Sequence, residues 1–193
     1  TLKFSGKAEA NSSVYVYLDG NVTKMVVVNA NASGDWTYMW SGDPLLNGAH
    51  SVTVVSVDKA GNASASSDVV SFTLSSTTSH RPYVDSFTDD VGGVKGTQIG
   101  GAYTDDARPT INGRGDANST VKVYDGATLL GQTVASASGT WSVTPTAALS
   151  QGVHSITATA TTAGTTSESS RTVLEFTVDT AAPVKPTIAS VVD

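Results

Sequence analysis

A chain of 193 residues has room for one large domain or two of about 100 residues each. The absence of cysteine excludes a disulfide scaffold, a zinc-thiolate site and thiol catalysis, and no apolar run approaches the roughly 18–20 residues of a membrane-spanning helix. A net charge of −6, with only 11 Lys and Arg scattered along the chain, argues against a nucleic-acid partner. No basic segment leads into an apolar stretch at the start, so any targeting signal is expected elsewhere in a longer protein. Ser and Thr are abundant, 25 and 27 residues, and Asp outnumbers Glu 14 to 3. Asp is a poor helix-interior residue that favours caps and turns, so the excess predicts a loop-rich chain without helices.

The chain repeats itself. Ala10-Asn11-Ser12-Ser13-Val14-Tyr15-Val16-Tyr17 matches Ala117-Asn118-Ser119-Thr120-Val121-Lys122-Val123-Tyr124 at an offset of 107. Ser33-Gly34-Asp35-Trp36 matches Ser138-Gly139-Thr140-Trp141 at 105, and Gly48-Ala49-His50-Ser51-Val52-Thr53 matches Gly152-Val153-His154-Ser155-Ile156-Thr157 at 104. In chain order, the first copy is broken by the turn signals Asp19-Gly20, Gly34, Asn47-Gly48 and Gly61-Asn62. The second copy carries seven short runs, at 83–88, 109–113, 120–125, 128–135, 139–144, 152–161 and 169–178. Apolar residues alternate within these runs: Val121 and Val123 are expected to face inward between Lys122 and Tyr124, and Ile156, Ala158 and Ala160 between threonines. The last residues, 186–193, match 82–89. Seven antiparallel strands in about 100 residues is the arithmetic of an immunoglobulin-like sandwich. The predicted fold is therefore all-β, as tandem Ig-like antiparallel sandwiches. Residues 1–79 form a copy lacking the segment equivalent to 82–107, with its first strand; 80–180 form a complete copy, and 181–193 the linker and first strand of a third.

These motifs carry a resemblance. The runs at 104–126, 139–145 (Gly-Thr-Trp-Ser-Val-Thr-Pro), 152–157 and 176–183 (Phe-Thr-Val-Asp-Thr-Ala-Ala-Pro) resemble the bacterial Ig-like repeats of large surface adhesins and biofilm-associated proteins. The resemblance implies stalk domains at the bacterial cell surface or secreted outside it, serving cell adhesion and stiffened in many members by calcium. The lack of a long apolar run predicts that this segment does not insert in a membrane. The linker after the first copy, Ser75-Ser76-Thr77-Thr78-Ser79-His80-Arg81-Pro82, departs from the Asp-Thr-x-x-Pro pattern seen at 179–183.

Counting strands up and down from 83–88 puts the loops 89–107, 125–128 and 145–152, with the end of the last strand, at one pole of the second copy. Asp89, Asp90, Asp105, Asp106, Asp125 and Asp179 all map there. Six carboxylates repel one another unless a cation is present, and calcium takes six to eight oxygens from flexible loops. Gly92, Gly93, Gly96, Gly100 and Gly101 would let the intervening loop fold back so that the Asp pairs converge. The competing reading is that these residues simply populate turns. Asp58 maps to the opposite pole of the first copy, where a preceding repeat could add ligands; its counterpart region, Thr161-Thr162-Ala163-Gly164, has no acid. At the junction between the two copies the nearby acids are Asp19, Asp43 and Asp116.

Arg114-Gly115-Asp116 is an Arg-Gly-Asp tripeptide in a predicted exposed loop, a possible integrin ligand, although the first copy has Lys7-Ala8-Glu9 there. His50 and His154 occupy equivalent positions without a second His nearby, so a structural hydrogen bond is expected of each, whereas His80 in the linker is either solvated or caps the junction. Trp36 and Trp141 are predicted core anchors. Trp40, with Tyr38, either covers a core edge or stacks on a sugar. Sequons at Asn11, Asn21, Asn31, Asn62 and Asn118 carry no weight in a Ser- and Thr-rich bacterial chain. Catalytic spacings such as Gly-x-Ser-x-Gly and His-Glu-x-x-His are absent, so no enzyme is expected. The expected partners are neighbouring repeats, with any surface receptor engaged by other parts of the protein. The alternative is a glycan- or receptor-binding Ig-like module, and an open edge in the first copy could take the 186–193 strand of another molecule, giving head-to-tail association.

Overall fold

The computed structural model describes residues 2–41 and 44–190, with backbone only for 21–25, and the chain divides into two units, 1–76 and 77–193. In the first unit β1 (Lys3–Lys7) pairs antiparallel with β4 (Asp35–Met39). The facing sheet has the order β3 (Asn21–Asn29), β2 (Ser13–Leu18), β5 (Gly48–Val57), β6 (Val70–Leu74). Alternation along β2 sends Val14, Val16 and Leu18 inward, where they meet Phe4, Ala30 and Trp36. The β2–β3 hairpin turns at Asp19-Gly20, both with positive φ (52° and 67°).

The second unit completes the pattern. One sheet runs β13 (Thr140–Val143), β10 (Thr110–Arg114), β7 (Tyr83–Asp89), β8 (Gly96–Gln98). The other runs β12 (Thr128–Val134), β11 (Thr120–Asp125), β14 (Gly152–Thr162), β16 (Leu174–Val178), β9 (Tyr103–Thr104), with β15 (Thr165–Thr166) beside β14. All pairings are antiparallel except β9 with β16, which is parallel. The predicted inward residues Val121, Val123, Ile156, Ala158 and Ala160 are all 0% exposed. β7 brings in Phe87, whose ring lies 4.5 Å from that of Phe176. Phe72, the Phe176 counterpart of the first unit, meets Phe4 edge-on at 5.9 Å and stays half-buried.

Trp141 and Trp36 are core anchors, as expected, at 4% and 6% exposure. Each indole lies flat on a glycine of the paired strand. A Cβ on Gly113 would sit 2.2 Å from the Tyr83 carbonyl and 2.3 Å from the Trp141 ring, and one on Gly6 would lie 2.9 Å from the Trp36 ring. Only glycine lets the ring and the strand approach so closely.

Two expectations need correction. The loop predicted at 89–107 contains β8 and β9, which extend both sheets at their edges. The last strand begins at Leu174 rather than 169, because serine hydroxyls replace the ladder before it. Ser170 Oγ accepts from the Ala158 amide (3.2 Å) and Ser167 Oγ from the Ala160 amide (3.0 Å). The first unit repeats this, with Ser67 Oγ serving Val54 N and Ser64 Oγ serving Ser56 N, each at 3.0 Å. Much of the serine richness is thus structural: the hydroxyl lets an irregular segment satisfy a neighbouring strand. Residues 181–190 take no strand conformation, and 191–193, the end of the predicted third-copy strand, lie outside the described residues.

Candidate functional site

The acidic pole of the second unit is built around Thr104, which is 3% exposed at the end of β9. Its hydroxyl donates to Asp89 Oδ2 (2.6 Å) and accepts from the Asp106 amide (3.0 Å), while its carbonyl accepts from the Asp179 amide (2.8 Å). Asp89, at 2% exposure, also accepts from the Val91 amide at Oδ1 (3.0 Å), so both its oxygens have donors. Asp105 is exposed and its carboxylate folds onto the Asp90–Gly93 turn: a Cβ on Gly92, whose φ is +62°, would fall 1.8 Å from Asp105 Oδ2. Thr104 therefore ties together Asp89, at the end of β7, and the backbone of Asp106 and Asp179, with exposed Asp90 and Asp105 next in chain to Asp89 and Thr104. Thr104 was the residue that sequence reasoning missed. Its signal was its place immediately before the Asp pair, where a short hydroxyl can serve two turns at once.

The turn-forming reading also holds at these positions. Asp89 accepts from Val91 N, Asp106 from Arg108 N (2.7 Å), Asp179 from Ala181 N (3.1 Å) and Asp58 from Ala60 N (2.8 Å), each an acceptor two residues ahead of itself. Among the described residues, no group of three or more His, Cys, Asp or Glu is arranged to hold a metal ion. The donor chemistry suits a hard cation in one respect: it is all oxygen, on loops. The carboxylates with room for such an ion are those of exposed Asp90, Asp105 and Asp179.

Asp125 is employed differently. Its Oδ2 lies 2.7 Å from His154 Nδ1 and its Oδ1 accepts from the Ser155 amide (3.1 Å), while His154 Nε2 donates to the Ser150 carbonyl (2.9 Å). Burial of the ring works against its charge, but the hydrogen bonds to Asp125 and Ser150 and the Asp125 charge outweigh this and raise the His154 pKa above its ordinary value. The first unit has the same clasp: Asp19 Oδ2 to His50 Nδ1 at 2.9 Å, Asp19 Oδ1 to Ser51 N at 2.9 Å, and His50 Nε2 to the Leu46 carbonyl at 2.8 Å. Both histidines make the expected structural hydrogen bonds, and each ring packs on the equivalent phenylalanine, Phe72 or Phe176.

Asp58 closes a single turn on Asn62, which donates to it from both its backbone and side-chain nitrogen (2.8 Å each). Those bonds, the side-chain one foremost, hold its carboxyl below the usual value. Asp43 lies outside the described residues. The Arg-Gly-Asp tripeptide is not an exposed loop: Asp116 is 0% exposed, and Arg114 is committed to Asp85 through Nε and Nη2, both at 2.8 Å. A receptor cannot reach the carboxylate it would need. Trp40 packs edge-on to Tyr38 (6.2 Å between centroids), and both rings lie against the core of the first unit, so the pair covers a core edge.

Comparison with known proteins agrees with this architecture. A bacterial Ig-like domain family matches residues 1–75 and 83–180, the boundaries of the two sandwiches. Among solved structures, the chain is similar to a biofilm-associated protein BSP domain (20% identity, TM-score 0.40, covering 93% of this chain and 28% of that one). It is likewise similar to a tetra-tandem repeat in the extending region of a large adhesion protein (20% identity, TM-score 0.33, 92% and 45%). The chain thus spans less than half the length of either. No curated protein sequence matches it. With the family matched separately to each of two sandwiches built alike down to their histidine clasps and glycine-seated tryptophans, the chain belongs to the bacterial Ig-like domain family.

Proposed function

We propose that the two sandwiches are stalk repeats of a secreted or surface-anchored bacterial adhesin: they extend a binding region elsewhere in the protein away from the cell. The observation that carries this reading is the repetition itself, one sandwich twice in succession on one chain, each matched by the same family. The coverage of Trp40 and Tyr38 and the burial of Asp116 favour a spacer over a glycan- or integrin-binding module. A glycan array and an integrin-binding assay on the 193-residue chain should both be blank; saturable binding in either would replace this reading with the receptor-module one.

The finer part of the proposal is that calcium stiffens the stalk at repeat junctions. Asp90, Asp105 and Asp179 would hold it at the pole of the second unit that faces the next repeat, with Asp58 as the corresponding acid of the first. Asp89, Asp106 and Asp125, already engaged, would orient rather than coordinate. Small-angle scattering with calcium and with chelator tests this: identical dimensions in the two, together with a flat calcium titration by calorimetry, would remove calcium from the proposal. Head-to-tail association is supported by β1, whose only paired neighbour among the described residues is β4, and by the likeness of 186–193 to 82–89. Sedimentation that stays monomeric at high concentration would end that idea.

A further inference from the structure

We propose that His80 and Asp116 form a metal-free clasp that seats the end of the inter-repeat linker on the second sandwich and fixes the path of the chain from Ser79 to Pro82. Asp116 is 0% exposed, and a fully buried carboxylate is tolerated only when donors surround it. The linker supplies them. His80 donates from its backbone nitrogen to Asp116 Oδ2 (2.8 Å) and from Nδ1 to Oδ1 (2.9 Å), so one residue occupies both oxygens; the Thr162 hydroxyl adds a third donor at Oδ2 (3.3 Å). Because one of those bonds comes from the backbone, the clasp fixes the path of the chain as well as a side chain.

Neighbouring residues extend the seat in both directions. Ser79 Oγ donates to the Ala160 carbonyl (2.8 Å), and Arg81 reaches the carbonyls of Ser169 (2.6 Å) and Ser170 (3.0 Å). The Pro82 carbonyl accepts from the Arg171 amide (2.9 Å). On the first unit, Asn47 Nδ2 donates to the Ser76 carbonyl (3.0 Å). The pair belongs to this junction rather than to the repeat in general: Val184 stands where His80 would recur before the third copy, and Glu9 stands in the place of Asp116 in the first. Where the linker loses the Asp-Thr-x-x-Pro pattern, it gains an imidazole. The inference rests on the stalk reading only for its purpose, since the clasp itself is a property of the second unit.

Hydrogen–deuterium exchange on the full 193-residue chain tests it, read on peptides spanning 77–85 and, as a control, on β14. His80→Ala and Asp116→Asn should each speed exchange across 79–82 by roughly tenfold or more while β14 keeps its protection, and chelator should leave the wild-type pattern unchanged. If Asp116→Asn unfolds the second unit, His80→Ala, which removes only a linker ring, decides the matter. Wild-type exchange rates in His80→Ala, loss of β14 protection in that variant, or loss of linker protection on chelation would each overturn the clasp. None of these outcomes bears on the glycan or scattering tests of the stalk reading.

Discussion

At the scale of single residues, the histidine clasps have a definite pH consequence. His154 faces an acceptor at each ring nitrogen, a carboxylate at Nδ1 and a carbonyl at Nε2, so its neutral form must leave one of them without a proton. Its pKa is raised in the folded state, and a raised pKa means stability fully present below the unfolded value of 6.5 and lost as pH climbs through the folded one. The difference in melting temperature between wild type and His154→Gln should therefore be largest below pH 6.5 and shrink above it; a difference that grows with pH would contradict the assignment. The positions of His50 and His154 were legible in the sequence because they recur, but their partners were not, since Asp19 and Asp125 are about 30 residues distant from their rings. Asp125 looked like a metal ligand for the same reason that it binds His154: an acid at the end of a strand can serve whichever cation the fold delivers.

At the scale of elements, alternation in β11 and β14 predicted the inner face correctly, because a period of two leaves no choice of side once one face is buried. It failed after β15, where Ser and Thr read as continuing strand and the chain instead bonds its neighbours through hydroxyls. Sequence cannot distinguish a serine that decorates a strand from one that substitutes for its backbone. Ser170 is 4% exposed, and its hydroxyl both receives the Ala158 amide and donates to the Thr172 carbonyl (2.7 Å). Ser170→Ala leaves a buried amide unpaired and should cost about 1–3 kcal/mol in denaturant unfolding, with Ser170→Thr recovering part of it. A loss within error of zero would mean that water replaces the hydroxyl.

At the scale of the whole molecule, the two sandwiches share a plan but differ in how much of it is enclosed. Phe176 is 1% exposed beneath Phe87, while Phe72 and the Val52 and Val54 of β5 remain half-buried because the facing sheet of the first unit has two strands among the described residues. Calorimetry should resolve two transitions, the first unit melting at the lower temperature, and Phe72→Ala should move only that one; a single cooperative transition would show the units to be coupled in unfolding. The repeat map made the all-β fold class and the recurrence of one sandwich readable before any coordinates. What it could not supply was the bonding inside the acidic pole, because the donors come from Thr104 and from backbone amides that no residue count reveals.

The parallel pairing of β9 with β16 bears on how the second unit would carry load. Tension pulled through Asp179 travels along β16, which is bonded on one side to β14 and on the other to β9, and those bonds lie across the pulling direction. They must break together in shear rather than one at a time. In the first unit β6 ends its sheet with β5 as its one paired neighbour among the described residues, so the same pull meets fewer interstrand bonds. Single-molecule stretching should show the first unit yielding at the lower force, which would make it a sacrificial extension that lengthens the tether before the better-enclosed repeat gives way.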